Sequence, residues 1–166
     1  MALEIERRFL VKGDAWKIIA KPPQHLRQGY LVTSIEGWTV RVRILEEKKA
    51  WLTLKSPEKG IAKYEFEYLI PLNDAESLWQ QAPNKLTKTR YELNLNGKEW
   101  IVDCFKGQNA PLVIAEVELT SVDEKVEKPH WCNQEVTSNQ ALSNAALAET
   151  PLSDLSIENR LAINLN

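Results

Sequence analysis

Leu3-Glu4-Ile5-Glu6-Arg7-Arg8-Phe9-Leu10-Val11 is the stretch from which the fold is read. Residues two apart on a β-strand share a face. Glu4, Glu6 and Arg8 therefore point one way, while Leu3, Ile5 and Phe9 point the other. One charged and one apolar face predict an antiparallel sheet rather than a parallel sheet buried on both sides. Strand-like runs follow at Leu26–Thr33, Gly37–Glu46, Lys49–Ser56, Ile61–Leu72, Lys85–Leu95, Lys98–Lys106 and Leu112–Thr120. Gly37, Pro57 with Gly60, Asn96-Gly97 and Gly107 with Pro111 supply turns between them. Asn96-Gly97 is a strong signal for a two-residue hairpin.

Helical segments are expected at Asp14–Ala20 and Asp74–Gln81, with Asp14 and Asp74 as caps. After Thr120 the pattern turns helical. Val122–Lys128 ends at Pro129, Asn139–Glu149 is rich in Ala and Leu, and Ser153–Leu165 carries Leu155, Leu161 and Ile163 as apolar marks. Eight strands followed by helices predict a mainly β fold, α+β by content. The expected architecture is a closed or nearly closed eight-stranded antiparallel β-barrel with helices packed outside.

At 166 residues and 19.0 kDa the chain fits one domain, large enough to bury a core without a disulfide or metal staple. Hydrophobic residues at 43% and charged residues at 27% exclude disorder and fibrous classes. A formal charge of −2 argues against a dedicated duplex-DNA binder. Cys104 and Cys132 form neither a zinc set nor a disulfide framework, so a reducing compartment is expected. There is no long charge-free apolar run. Met1 to Arg8 puts acids where a signal peptide needs a basic region. The expectation is a soluble, cytoplasmic protein with no membrane partner.

The charged positions carry the functional information. Arg41 and Arg43 oppose Val40, Val42 and Ile44, and Lys55 opposes Leu52 and Leu54. Lys63, Glu65 and Glu67 face away from Tyr64, Phe66 and Tyr68. Lys88, Arg90 and Glu92 alternate with Thr89, Tyr91 and Leu93. Asp103 lies between Val102 and Cys104, and Glu116 and Glu118 alternate with Ala115, Val117 and Leu119. A solvated sheet face is the plain reading of any one such strand. Two features oppose it: like charges recur two apart, and acids collect on the first, fifth and eighth strands while bases collect on the third, fourth and sixth. Closed with these faces inward, the barrel encloses a cationic and an anionic sector. Such a lumen suits a polyanion held together with a hard divalent cation, Mg²⁺ or Mn²⁺ rather than zinc.

Glu4-Ile5-Glu6-Arg7-Arg8-Phe9-Leu10-Val11 closely resembles the Glu-x-Glu-x-Lys signature of the CYTH superfamily, the triphosphate tunnel metalloenzymes. The resemblance continues through Leu26-Arg27-Gln28-Gly29-Tyr30-Leu31, Val40-Arg41-Val42-Arg43 and Leu52-Thr53-Leu54-Lys55. It resumes at Tyr64-Glu65-Phe66-Glu67, Lys88-Thr89-Arg90-Tyr91, Asp103 and Glu116-Val117-Glu118, and more loosely over Glu135 to Ala148. Short bacterial members that hydrolyse inorganic triphosphate look most similar. The resemblance implies a tunnel domain over 1–150, with 151–166 a helical tail rather than a second domain. It implies a small-molecule triphosphate substrate, an Mg²⁺ or Mn²⁺ cofactor, and hydrolysis to pyrophosphate and phosphate. On it, Glu4, Glu6, Glu116 and Glu118 match metal-binding acids, and Asp103 a further acid near the metal. Arg8, Arg41, Arg43, Lys55, Lys88 and Arg90 match phosphate-binding bases, and Glu65 and Glu67 acids of the tunnel wall. Glu4, Glu6, Arg8, Lys55, Asp103, Glu116 and Glu118 form the expected catalytic set.

The chain departs from the family pattern twice. Position 8 is Arg where the signature has Lys. Near the C-terminus, where members often carry a Tyr and basic residues, Glu135-Val136-Thr137 leads to Leu142-Ser143-Asn144 and no Lys follows Lys128. Other CYTH activities stay open at this level: adenylate cyclase, thiamine triphosphatase and nucleoside triphosphatase. So does a non-catalytic polyphosphate- or nucleotide-binding module, and so does a monomer or a homodimer.

Other motifs add little. There is no Gly-x-Gly-x-x-Gly and no Gly-Lys-Ser/Thr loop. His25 and His130 lack a second ligand pair at metal spacing and read as packing or surface residues. No Ser or Cys stands in a nucleophile context. Six tryptophans, scattered through helices and strands, read as barrel-to-helix packing rather than base stacking. Lys88 and Arg90 share a face with Glu92, which counts against a nucleic-acid patch.

Overall fold

The computed structural model describes residues 3–34, 37–57 and 59–163. Its strands are β1 (Leu3–Val11), β2 (Gln24–Val32), β3 (Thr39–Leu45), β4 (Lys49–Lys55), β5 (Ala62–Ile70), β6 (Asn84–Leu95), β7 (Lys98–Phe105), β8 (Val113–Glu118) and β9 (Cys132–Glu135). The α-helices are α1 (Leu72–Gln81), α2 (Asn144–Glu149) and α3 (Ile157–Ala162). β1 to β8 form one antiparallel sheet in the order β5-β4-β3-β2-β6-β7-β8-β1, and β1 pairs with β5 to close it. This is the expected eight-stranded barrel. β1 gives one edge to β8, while its other edge pairs with β5 from Leu3 to Ile5 and with β9 from Phe9 to Val11.

Register fixes which faces turn inward, because directly paired residues share a face. Glu6 lies opposite Glu118, Arg8 opposite Glu116, Glu4 opposite Lys63, Lys55 opposite Glu65 and Arg90 opposite Asp103. The Asn96-Gly97 hairpin has φ of 53° and 79°, positive at both central residues as a type I′ turn requires.

The apolar surfaces are covered in three places. Outside, Trp16, Phe9, Trp100, Val102, Val117 and Trp131 pack over β1 and β6 to β8. Also outside, α1 sets Ala75 against Val42, Ile44 and Ala50. The third cluster is at one end of the lumen, where inward-facing Leu10, Leu86, Phe105 and Ile114 meet Leu142, Leu147 and Leu152 of the C-terminal region. The C-terminal turns thus stopper the barrel, while α1 is the outer helix.

Local expectations failed at four points. Val122–Lys128 is a turn followed by irregular chain, not a helix. Seven residues are too few to nucleate one unaided, and the Glu124 carboxylate instead accepts from Thr120 N and Oγ1. Asn139–Glu149 divides into a 3₁₀ turn, Gln140–Leu142, and α2, because Ser143 is extended and its Oγ caps Ala146 N. Neither Asp14 nor Asp74 caps by side chain. The first element is a 3₁₀ turn, Ala15–Ile19, and α1 begins earlier, after Pro71. The amphipathic stretch from Ser153 is a 3₁₀ turn, Leu152–Asp154, followed by α3. Its Ile163 is buried and Leu155 packs beside it; the Leu161 side chain and Leu165 lie outside the described residues.

Candidate active site

The inward faces enclose a cavity of about 1170 Å³ lined by Glu4, Glu6, Arg8, Arg41, Arg43, Lys55, Lys63, Glu65, Glu67, Lys88, Arg90, Glu116 and Glu118. Strand order arranges their charges. β8, β1 and β5 are neighbours, so the acids form one continuous wall. The bases of β3 and β6 stand across from them, with β2 contributing Tyr30 between β3 and β6, while Lys55 of β4 sits beside the acids of β5.

In the acidic wall, Lys55 Nζ lies 2.9 Å from Glu4 Oε2 and 2.5 Å from Glu65 Oε2. Lys63 Nζ stands 3.5 Å from Glu4 Oε2 and 3.6 Å from Glu6 Oε1. Burial alone would raise the Glu4 carboxyl, but the Lys55 and Lys63 charges bring it down to about 2. Glu6 goes the other way. Burial, then the Glu116 and Glu4 charges, push it up to about 7 against the pull of the two lysines. Glu116 Oε1 is buried with no hydrogen-bond partner among the described residues, and Arg8 Nε is 3.6 Å from it.

In the basic wall, Arg41 NH2 donates to Thr53 Oγ1 at 3.1 Å and reaches Glu67 Oε2 at 3.4 Å. Arg43 NH1 is 3.6 Å from the same oxygen. Burial and the neighbouring Arg41 and Arg90 charges push Arg43 down to about 10. Its cationic form is thus disfavoured where it stands, and an anion in the lumen would relieve it. Lys88, fully buried, donates to Asp103 Oδ2 at 2.6 Å and to Asn144 Oδ1 at 2.9 Å. Burial pushes its ammonium down to about 7, with Asp103 pulling the other way.

Most of the sequence-expected set is therefore brought to one lumen. Asp103 stands apart: it is 0% exposed and does not line the cavity. Arg90 grips it with Nε and NH2, each at 2.9 Å, and Lys88 holds it from the side. The position makes Asp103 the anchor of two bases rather than a free acid. Lys63 was legible as a partner of Glu65 and Glu67 on one face, yet its place between Glu4 and Glu6 depends on the β1–β5 closure. Leu142, whose carbonyl accepts from Arg8 Nη2 at 2.9 Å, and Asn144 fall within the looser resemblance over Glu135 to Ala148, but they were not named as site residues, since the stopper rather than a strand brings them to Arg8 and Lys88.

The donor set suits a hard divalent cation: only carboxylate oxygens, an orphaned buried Glu116 Oε1, and a Glu6 carboxyl crowded by Glu4 and Glu116. Among the described residues no three acidic, His or Cys side chains already converge as a ready cation cage. The Lys63 ammonium is the positive charge between Glu4 and Glu6.

Comparison with known proteins agrees with this geometry. The CYTH domain family matches residues 2–149. An inorganic triphosphatase from Acetivibrio thermocellus is 39% identical over 153 residues, covering 91% of this chain and 96% of that protein. One from Nitrosomonas europaea is 36% identical over 149 residues, covering 87% and 96%. The crystal structure of an inorganic triphosphatase superposes with a TM-score of 0.63 at 34% identity, covering 89% of this chain and 95% of that one. No described helix is long and apolar enough to cross a membrane.

Proposed function

The chain belongs to the CYTH family, and from that premise we propose that it is a divalent-metal-dependent inorganic triphosphatase, cleaving triphosphate to pyrophosphate and phosphate. The observation that carries this reading is the pairing of two opposed charge walls in one lumen, the basic one holding an under-compensated Arg43.

Arg8, Arg41, Arg43, Lys55, Lys88 and Arg90 bind the phosphate chain through charge-assisted hydrogen bonds. Guanidinium forks fix its orientation, and the ammonium groups add point charges. Glu4, Glu6, Glu116 and Glu118 would hold Mg²⁺ or Mn²⁺. When bound, such a cation neutralises phosphate oxygens and polarises the terminal phosphoryl group. Phosphoryl transfer needs positioning and charge stabilisation more than covalent help. Water attacks the terminal phosphorus and gives up a proton to a lumen carboxylate and from there to solvent, while the bond to the bridging oxygen breaks and pyrophosphate leaves with its electron pair. The bases stabilise the charge that gathers on that bridging oxygen. Glu116 Oε1 is the buried acceptor suited to orient the water. Asp103 opposes the loss of charge that burial presses on Lys88 and holds both Lys88 and Arg90 in place, a positioning role.

The test is phosphate release from triphosphate, ATP, thiamine triphosphate and long-chain polyphosphate, each with Mg²⁺, Mn²⁺ or chelator. Hydrolysis of triphosphate ahead of the others, abolished by chelator, is expected. Preference for ATP or thiamine triphosphate would move the chain to another CYTH activity, and binding without turnover to a sensing module.

A further inference from the structure

Asn144 is the first residue of α2, and its side chain lines the cavity although no strand carries it. Its Oδ1 accepts from Lys88 Nζ at 2.9 Å. Lys has donors and no acceptor, so this contact settles which way the carboxamide is turned: oxygen toward Lys88, NH₂ away from it. The residue is also held firmly. Ser143 Oγ caps the Ala146 amide, and Leu147 is fully buried in the stopper. Buried Asn109 ties the next turns by donating to Leu147 O at 3.2 Å and accepting from Leu152 N at 2.8 Å.

Lys88 offers three N–H bonds; Asp103 takes one and Asn144 another, which leaves one for an anion. We infer that Asn144 is a phosphate-binding residue of the lumen, its NH₂ donating to the same segment of the polyphosphate chain that Lys88 contacts. The inference rests on the lumen being an anion site, and it deepens that reading by bringing the stopper into the site. In the barrel stretch Lys88 and Arg90 read the phosphates from one side; Asn144 reads them from the plugged end.

The experiment is calorimetric titration of triphosphate, in chelator, into wild type, Asn144→Leu, Lys88→Met, the double variant and Arg43→Gln. Melting curves without ligand check folding. Losing a hydrogen bond to a charged group costs roughly ten- to hundredfold in affinity, and Asn144→Leu should show that loss. A residue that merely steadied Lys88 would cost nothing once Lys88 is gone, whereas a donor to phosphate should weaken the double variant roughly tenfold beyond Lys88→Met. If Asn144→Leu does not fold, Asn144→Ala takes its place in both backgrounds. Wild-type affinity in Asn144→Leu, or no further loss in the double variant, beside weakened Arg43→Gln, overturns the inference and leaves the anion site standing. No binding by wild type, or undiminished binding by Arg43→Gln, overturns the anion-site reading and this inference with it.

Discussion

Arg8 replaces the Lys of the family signature, and its surroundings say what the side chain is asked to do. NH2 donates to the Leu142 carbonyl at 2.9 Å and Nε lies 3.6 Å from Glu116. Both contacts use a fixed positive charge with an N–H to donate, not a proton carrier. Arg8→Lys keeps the charge and should hold turnover of triphosphate within about tenfold, roughly 1.4 kcal/mol of transition-state stabilisation. Arg8→Ala leaves buried Glu116 without its neighbour and should lose considerably more; initial rates at saturating triphosphate and metal compare the three. Asp103 gives a prediction about stability. Burial would raise its carboxyl, but the Arg90 and Lys88 charges hold it well below the usual carboxylate range. The folded value lies below the unfolded one, so this ion pair stabilises the fold above the ordinary carboxylate range. Its contribution is lost as pH falls through that range toward the folded value. Asp103→Asn strands two buried cations and should cost roughly 3–5 kcal/mol at neutral pH. Its melting temperature should also fall less steeply than that of wild type on acidification to about pH 3; parallel curves would contradict the assignment. At this scale the strand residues were legible because period two exposes them in the sequence. The Asp103 anchor was not, since whether an inward residue is solvated or sealed depends on what stands above it.

Among the elements, α1 sits on β2 only because Gly29 has no side chain. A Cβ there would stand 2.9 Å from Ala82 Cβ, 3.2 Å from Val42 Cγ1 and 3.3 Å from Trp79 Cε3. Gly29→Ala should therefore destabilise by roughly 1–3 kcal/mol through overpacking, read as a lower melting temperature with the far-UV spectrum unchanged. A neutral result would mean that α1 packs more loosely than described. The β3–β4 turn shows why some elements escaped the sequence. Glu46 and Glu47 have φ of 50° and 54°, a conformation that turn-formers usually supply. Long-range contacts hold it here: Glu46 accepts from His25 N, and Glu47 pairs with Arg27. β9 escaped for a related reason. Cys132–Glu135 has no alternation to mark it and is a strand because β1 has a free edge there.

For the whole molecule, the decisive property is how strand order turns a linear charge pattern into two walls. The acids of the first, fifth and eighth strands are far apart in sequence but adjacent on the barrel, since β1 pairs with both β5 and β8. That sorting was legible from which strands carried which charge, and closure follows once the charged faces turn inward. The plugged end was not legible, because Leu10, Leu86 and Ile114 continue the charged faces as apolar residues and look like ordinary strand ends. The central claim is that the acidic wall holds a divalent cation that hydrolysis of triphosphate on the basic wall requires. Glu6→Gln tests it most directly, removing one ligand charge with almost no change of shape. The measurement is the initial rate of Mg²⁺- or Mn²⁺-dependent phosphate release from triphosphate, with circular dichroism confirming the fold. A folded Glu6→Gln protein slowed by roughly a hundredfold or more is the expected result; a folded variant with undiminished hydrolysis would contradict it.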